Sequence, residues 1–215
     1  MELKIFTLIA ILFSLNGYAQ MKGISALGLG VVIDNGRSEG VSVSTNEYKS
    51  RSYSLGYGVF VSDHDKIGME LRYGTSKNEF KSLSDSGGSE EDGESYGGSL
   101  TYQHFYPLLK TLYAYAGVNA GYTQRTSTAT YFYDAPYTES EIAKLHSAGA
   151  IGGVTWFMSK SFALEINIIS LNATYTTSVR ETDDGDFIRN SKSSGFNLTT
   201  QGSINNLGFK IFLLF

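Results

Sequence analysis

Residues 53–74 read YSLGYGVFVSDHDKIGMELRYG, and this stretch decides the fold. Large apolar side chains occupy alternate positions on both sides of the polar segment 62–66, while small residues fill most positions between them. Alternation with a period of two, interrupted by a short polar turn, is typical of an antiparallel β-hairpin. The face of small residues is too small and too weakly charged for a solvated surface. It suits the narrow lumen of a small β-barrel, which side chains alone can fill.

The same alternation recurs along most of the chain and predicts eight strands. A change of phase between Ile168 and Leu171 indicates a β-bulge in the seventh strand. The predicted strands are 27–33, 53–61, 67–73, 96–106, 114–122, 148–156, 164–175 and 207–215.

The connections between these strands alternate strictly in length. This alternation predicts an up-and-down barrel with all long polar loops at one end, as in bacterial outer-membrane barrels. A soluble lipocalin-like barrel is the alternative, but it would expose a charged face. We therefore predict an all-β, eight-stranded, antiparallel up-and-down transmembrane β-barrel. The short connections are 62–66, 107–111 and 159–161, and the long ones are 34–51, 77–94, 124–143 and 180–195.

Composition excludes several other classes of protein. The 215 residues include 24 glycines and no cysteine, and aromatic residues make up 13% of the chain. A disordered chain would lack aromatic residues, and a disulfide scaffold or a cysteine-ligated metal site needs cysteine. The formal net charge of -4 argues against nucleic-acid binding, which usually requires a strongly basic surface. We expect no cofactor, no metal and no nucleic-acid partner.

The first residues, MELKIFTLIAILFSLNGYAQ, have the pattern of a secretory signal peptide. Lys4 precedes an apolar run from Ile5 to Leu15, and Gly17 and Ala19 place small residues before a cleavage site. A transmembrane helix is the alternative, but the apolar run is shorter than the roughly 20 residues that a spanning helix needs. We predict a signal peptide at 1–19 and a β-barrel domain at 20–215.

Aromatic residues are expected to form two belts at the membrane–water interfaces. The belt near the short turns is predicted to contain Phe60, Tyr106, Tyr113, Trp156, Phe162 and Phe215. The belt towards the long connections is predicted to contain Tyr53, Tyr73, Tyr96, Tyr122 and Tyr175.

Four charged residues fall on the lumen face of the predicted strands: Glu70, Arg72, Glu165 and Lys210. Two acids and two bases sum to zero, as a buried network must to avoid unpaired charge. The favoured hypothesis is a salt-bridged plug that fills the lumen. A polar gate in a narrow water path is the alternative.

The three histidines do not form a recognisable catalytic set. His146 is expected on the lipid face, whereas the neighbouring Ser147 points inward. His104 is expected to lack a nearby serine or aspartate partner on its own face, and His64 lies in a turn. Because no nucleophile, base and orienting group can be assembled, we predict that the chain is not an enzyme.

The predicted signal peptide, the eight-strand meander and the final residues Asn206-Leu-Gly-Phe-Lys-Ile-Phe-Leu-Leu-Phe215 resemble small outer-membrane barrels of the OmpA/OmpX kind. The glycine- and tyrosine-rich strands are similar to barrels from Bacteroidetes. The resemblance implies that the alternating residues Phe209, Ile211, Leu213 and Phe215 form the signal read by the barrel-assembly machinery.

The function expected from these features is that of a non-enzymatic outer-membrane barrel. Its lumen is plugged, its long extracellular loops serve a structural or surface-interaction role, and it is a monomer that contacts outer-membrane lipid and lipopolysaccharide. A narrow pore for ions or small solutes is the alternative, and a lipid-modifying barrel enzyme is a third, less favoured possibility.

Overall fold

The computed structural model describes residues 21–40, 44–82, 87–132, 136–183, 187–202 and 209–215. The predicted signal peptide lies outside these residues. No helix among the described residues is long and apolar enough to cross a membrane. The strands within the described part are β1 (Ser25–Gly40), β2 (Ser44–Phe60), β3 (Asp65–Ser82), β4 (Gly88–Pro107), β5 (Leu112–Phe132), β6 (Tyr137–Phe157), β7 (Phe162–Asp183), β8 (Ile188–Gly202) and β9 (Phe209–Leu214).

The strands form an eight-stranded antiparallel up-and-down barrel, which confirms the predicted fold. Each strand from β1 to β7 pairs with the next one along the chain. Strands β8 and β9 both pair with β7, at different heights, and so together occupy the eighth position in the wall. The ring closes where β9 also pairs with β1, from Ala26 opposite Leu214 to Leu29 opposite Ile211.

Three short turns join β2 to β3, β4 to β5 and β6 to β7, as predicted. The turns at 62–66 and 107–111 are closed by the amides of Val61 and Leu108, which donate to the carbonyls of Asp65 and Leu112, each at 2.9 Å. We call this end of the barrel the turn end. The predicted β-bulge is also confirmed, because Gly152 pairs with Ile169 while the next residue of β6 pairs with Asn167, which skips Ile168.

The prediction of long polar loops is wrong for the described residues. Segments 34–40 and 44–51, for example, continue the β1–β2 ladder, and 123–131 pairs with 137–145 in the same way. The strands therefore reach 15 to 22 residues for β1 to β8, whereas about 9–11 residues cross a bilayer. Threonine and tyrosine suit a paired strand, and ladder hydrogen bonds need no apolar side chains. We call the part of β1–β8 beyond the tyrosines of the second predicted belt the outer extension.

Salt bridges across the strands support the outer extension. On its inner side, Arg125 pairs with Glu91 at 3.3 Å and Arg180 pairs with Glu141 at 2.9 Å. Burial raises the pKa of Glu141, but hydrogen bonds from Arg180 and Ser178 outweigh it and hold this pKa below its usual value. In the outer extension, ion pairs between strands thus take the place of the apolar contacts found in the apolar band.

The outer surface of the barrel carries a continuous band of exposed apolar side chains, including Leu55, Leu71 and Leu100. On β4 this band runs from Tyr96 to Tyr106, both of which are exposed. Ten residues of strand span about 33 Å, or about 25 Å along the barrel axis at a tilt near 40°. This height matches the apolar band of an outer-membrane barrel. The predicted second belt is confirmed as an outward set, because Tyr53, Tyr73, Tyr96, Tyr122 and Tyr175 are all exposed.

The predicted first belt is only partly correct. Tyr106, Phe162 and Phe215 are exposed as expected, but Phe60 and Tyr113 are buried inside the barrel. Phe60 has the same parity as Gly56 and Gly58, which belong to the lumen face, so it could not lie outside. The buried apolar residues among those described cluster at the turn end: Met21, Ala26, Phe60, Phe105, Tyr113, Tyr115, Ala163, Phe212 and Leu214.

Candidate functional site

The lumen holds the four charged residues that the sequence predicts there. Glu70 and Arg72 come from β3, Glu165 from β7 and Lys210 from β9. Arg72 Nε donates to Glu70 Oε1, and Lys210 Nζ donates to Glu70 Oε2. Both oxygens of one buried carboxylate are thus satisfied by separate cations. Three of the four predicted residues therefore meet directly, while Glu165 pairs with a residue that the prediction missed.

That missed residue is Lys66. Its Nζ donates to Glu165 Oε2 at 3.0 Å, and the two side chains are only 6% and 8% exposed. The sequence prediction placed Lys66 in the turn at 62–66, but its parity with Gly68 and Glu70 places it on the lumen face. The network therefore has three cations and two anions, a formal charge of +1 where the sequence predicted zero. We call these five residues the lumen network.

A cluster of aromatic rings packs inside the lumen at the turn end, beneath the lumen network. Phe105 is fully buried and lies 5.5 Å from the Phe60 ring and 5.9 Å from the Tyr115 ring. Phe157 lies 6.4 Å from Phe105, and Phe212 completes the cluster. We call Phe60, Phe105, Tyr115, Phe157 and Phe212 the aromatic plug.

Lys66 joins the lumen network to the aromatic plug. Its Nζ lies 4.3 Å from the centroid of the Phe212 ring, 5.5 Å from Phe105 and 5.9 Å from Phe60. A desolvated ammonium over aromatic faces gains cation–π energy, which can reach about 2 kcal/mol. This lysine is therefore held by one carboxylate and by three rings.

The chain segment before β1 covers the plug at the turn end. Met21 is buried, and the backbone amides of Met21 and Lys22 both donate to Asp63 Oδ1 at 3.1 Å. The amide of Gly23 donates to the carbonyl of Phe60 at 2.8 Å. Two layers, the aromatic plug and this segment, thus lie at the turn end of the lumen.

A cavity of about 260 Å³ lies on the other side of the plug. Its lining includes Glu70, Arg72, Glu165 and Lys210, together with Asn119. A polar cavity of this size has room for several water molecules. The lumen is therefore polar towards the outer extension and apolar at the turn end.

The histidine prediction needs one correction. His104 does have an acidic partner, because its Nδ1 lies 2.7 Å from Asp65 Oδ1. The two residues are register partners on β3 and β4, which the sequence pattern did not reveal. Tyr102 Oη donates to the same oxygen at 2.6 Å, and Ser62 Oγ donates to Oδ2 at 2.5 Å. Hydrogen bonds from Ser62, Tyr102 and His104 hold the pKa of Asp65 well below its usual range.

Neither histidine site has the order of groups that nucleophilic catalysis needs. Ser62 donates to the aspartate and not to His104, so the imidazole does not activate that hydroxyl. His146 packs against the Tyr122 ring at 5.2 Å, and Ser147 donates to the carbonyl of Gly121 at 3.4 Å.

The last strand has the alternation predicted for an assembly signal. Ile211, Leu213 and Phe215 are exposed on the outer surface, while Phe212 and Leu214 are buried in the lumen. Phe209 begins β9 and pairs with Ile166 through its backbone. Recognition of these residues by an assembly machinery stays a prediction.

Comparisons with known proteins support the fold. Neither a protein-family model nor a curated protein matches the chain. The outer membrane protein OprG from Pseudomonas aeruginosa matches with a TM-score of 0.54 and 11% identity, over 94% of this chain and 99% of OprG. At this identity the likeness shows an outer-membrane β-barrel fold and no more.

Two further structures match at lower TM-scores. The ferric yersiniabactin uptake receptor FyuA from Yersinia pestis has a TM-score of 0.42 and 11% identity, over 78% of this chain but only 26% of FyuA. The translocator domain of the autotransporter NalP from Neisseria meningitidis has a TM-score of 0.39 and 12% identity, over 99% of this chain and 93% of that domain.

Proposed function

We propose that this chain is a non-enzymatic outer-membrane protein whose lumen is closed and whose outer extension has a structural or surface-interaction role. The observation that carries the proposal is the aromatic plug, in which Phe105 is fully buried beneath the Lys66–Glu165 ion pair. A lumen of eight strands is narrow enough for side chains to fill.

The outer surface supports placement in an outer membrane. The apolar band is about 25 Å high by strand geometry, and exposed tyrosines border it towards the outer extension. In outer-membrane barrels the longer connections face outside, so we place the outer extension on the extracellular side. The partners proposed are outer-membrane lipid, lipopolysaccharide and, during biogenesis, the barrel-assembly machinery. We propose a monomer of the OmpA/OmpX kind, exported by a signal peptide.

The membrane placement is tested by fractionation and by gel mobility. The expressed full chain should be recovered in the outer-membrane fraction and should migrate differently before and after boiling, because a closed barrel resists unfolding by detergent. Recovery as a periplasmic protein with unchanged mobility would overturn the proposal.

The closed lumen is tested by conductance. Purified barrels in a planar lipid bilayer should be electrically silent, whereas a steady current through the wild-type protein would contradict the plug.

The non-enzymatic role is tested with lipid. Incubation with lipopolysaccharide, followed by mass spectrometry of the lipid, should show no change in the lipid. A modified product would contradict the non-enzymatic role.

A narrow pore for ions or small solutes is the second candidate, and the polar cavity above the plug favours it. Lys210 lines this cavity with its side chain 39% exposed, so its charge lies on any water path. If the wild-type barrel conducts, Lys210→Gln should change the ion selectivity of that current.

A further inference from the structure

A cluster of three cations lies on the outer surface directly beyond the tyrosine belt. Tyr53 and Tyr73 are register partners at the edge of the apolar band. Arg51 follows Tyr53 on the same face, and Lys49 and Lys77 form the next register pair outward. All three side chains line an open groove of about 610 Å³.

The spacing lets the three cations reach one anionic group. Lys49 and Lys77 stand directly opposite each other, so their Cβ atoms are about 5 Å apart. Arg51 is two residues from Lys49, or about 7 Å along the strand. Asp92 is the register partner of Lys77 on β4, and Glu94 is that of Thr75, so an anion is expected on the β2 side of Lys77.

The neighbouring acids only partly neutralise this cluster. Lys49 lies 3.6 Å from Glu47, and Lys77 pairs with Glu79 at 3.2 Å and with Glu90. These three acids form the next register row, farther from the tyrosines. Exposed ion pairs of this kind contribute about 0–1 kcal/mol to stability. Lys49 and Lys77 are like charges that stand opposite each other, an arrangement that is destabilising. Arg51 makes no ion pair with the described residues.

We propose that this groove binds a phosphate of the lipid A part of lipopolysaccharide in the outer leaflet. Interfacial tyrosines lie at the level of the lipid headgroups, and Arg51 lies about 5 Å beyond them at the usual strand tilt. The phosphate oxygens accept hydrogen bonds from Arg51, Lys49 and Lys77, while the acyl chains lie along Leu55 and Leu71. This inference rests on the proposed membrane placement and on the extracellular side of the outer extension.

Lipid A is the occupant that the charge and the location indicate. Three clustered cations exceed what a single monoanionic headgroup would neutralise. The cluster borders the leaflet that faces the outer extension, and lipopolysaccharide is the phosphorylated lipid of that leaflet. At the corresponding outward positions on other strands, the structure has Glu94 on β4, Gln124 on β5 and Thr177 on β7, and β6 has a single lysine, Lys144.

The test compares two double variants of the refolded barrel in lipid nanodiscs, with bisphosphorylated lipid A as the probe. R51Q/K77Q removes two cations from the groove, and K144Q/K192Q removes two exposed outward cations from β6 and β8. At roughly fivefold per cation, R51Q/K77Q should weaken lipid A binding about 30-fold. The K144Q/K192Q control should change binding less than about twofold, and the charge-preserving variant R51K/K77R should retain most of the affinity.

Three results would overturn this site. They are equal loss in both double variants, equal binding of dephosphorylated lipid A, and equal displacement of lipid A by phosphatidylglycerol. Gel mobility before and after boiling, together with protease protection in vesicles, reports membrane insertion for every variant. If insertion itself fails for the wild type, the proposed function fails; if insertion succeeds and the affinities do not differ, only the lipid site fails.

Discussion

Lys66→Met, compared with Glu165→Gln, is the sharpest test of how the lumen network and the aromatic plug are held together. Each substitution removes one member of an ion pair whose side chains are 6% and 8% exposed. Removing one partner of a buried pair typically costs about 3–5 kcal/mol, because the other charge stays buried without compensation. The two variants should nevertheless differ. Glu165→Gln leaves Lys66 under three aromatic rings, whose combined cation–π attraction recovers about 1–2 kcal/mol.

Lys66→Met leaves Glu165 without comparable support. Lys210 is its register partner, but the Lys210 ammonium already donates to Glu70. We therefore expect Lys66→Met to lower the free energy of unfolding by about 3–5 kcal/mol and Glu165→Gln by about 1–4 kcal/mol. The double variant K66M/E165L, which leaves no unpaired charge, should lie within about 1–2 kcal/mol of the wild type.

The measurement is equilibrium unfolding by urea of the barrel in lipid vesicles. Trp156 is the single tryptophan of the chain and reports the transition through its fluorescence. If the double variant loses as much as both single variants together, the two side chains are not coupled and the pairing is refuted. If Glu165→Gln costs as much as Lys66→Met, the aromatic rings contribute nothing to holding Lys66.

Three further predictions concern other parts of the barrel. Asp65→Asn should be less stable than the wild type above pH 4 and equally stable well below it. The wild-type advantage is lost as pH falls from the usual aspartate pKa of 3.8 through the lower pKa of the folded state. A pH-independent difference in urea midpoint between the two proteins would contradict this. Phe105→Ala should lower the free energy of unfolding by about 3–5 kcal/mol, and a loss below 1 kcal/mol would show that the plug is loosely packed. Gly153→Ala should prevent refolding or lower the free energy of unfolding by more than about 2 kcal/mol, because the added Cβ would overlap the Ile166 carbonyl at the bulge. Gly36→Ala is the control: its Cβ meets no atom within 4 Å, so the free energy of unfolding should change by less than about 0.5 kcal/mol in the same assay.

The wall of the barrel was predictable because lipid and lumen impose opposite demands on alternate residues. The parity of Tyr53, Leu55 and Tyr57 against Gly56 and Gly58 assigns both faces of β2 without any knowledge of its neighbours. The bulge near Ile168 was visible for the same reason, since one extra residue reverses the parity of everything after it.

The outer extension was not predictable in this way. Beyond the apolar band both faces meet water, so residues such as 123–131 have no apolar alternation, although they pair fully with β6. Their pairing depends on the register that the same strands adopt within the apolar band, and on cross-strand contacts such as Arg125 with Glu91. The partners of Lys66 and His104 also lie on other strands: Glu165 contacts Lys66 across the lumen from β7, and Asp65 is the register partner of His104. The parity of a residue predicts the face of the strand on which its side chain lies, but it does not predict which residue that side chain contacts.

If the lumen is closed as proposed, the charged network and the barrier to ions are separate layers. Arg72, Glu70 and Lys210 line the cavity that lies towards the outer extension, and their ion pairs lie above the plug. Loss of these pairs would leave Phe105 fully buried and Met21 still bound to Asp63 by its backbone. A current through the barrel would therefore require movement at the turn end as well as in the network. For this reason, neutralising Glu70 and Lys210 together should change the stability of the barrel while leaving it non-conducting in a planar bilayer. A current that appears in that double variant would place the barrier in the network and not in the aromatic rings.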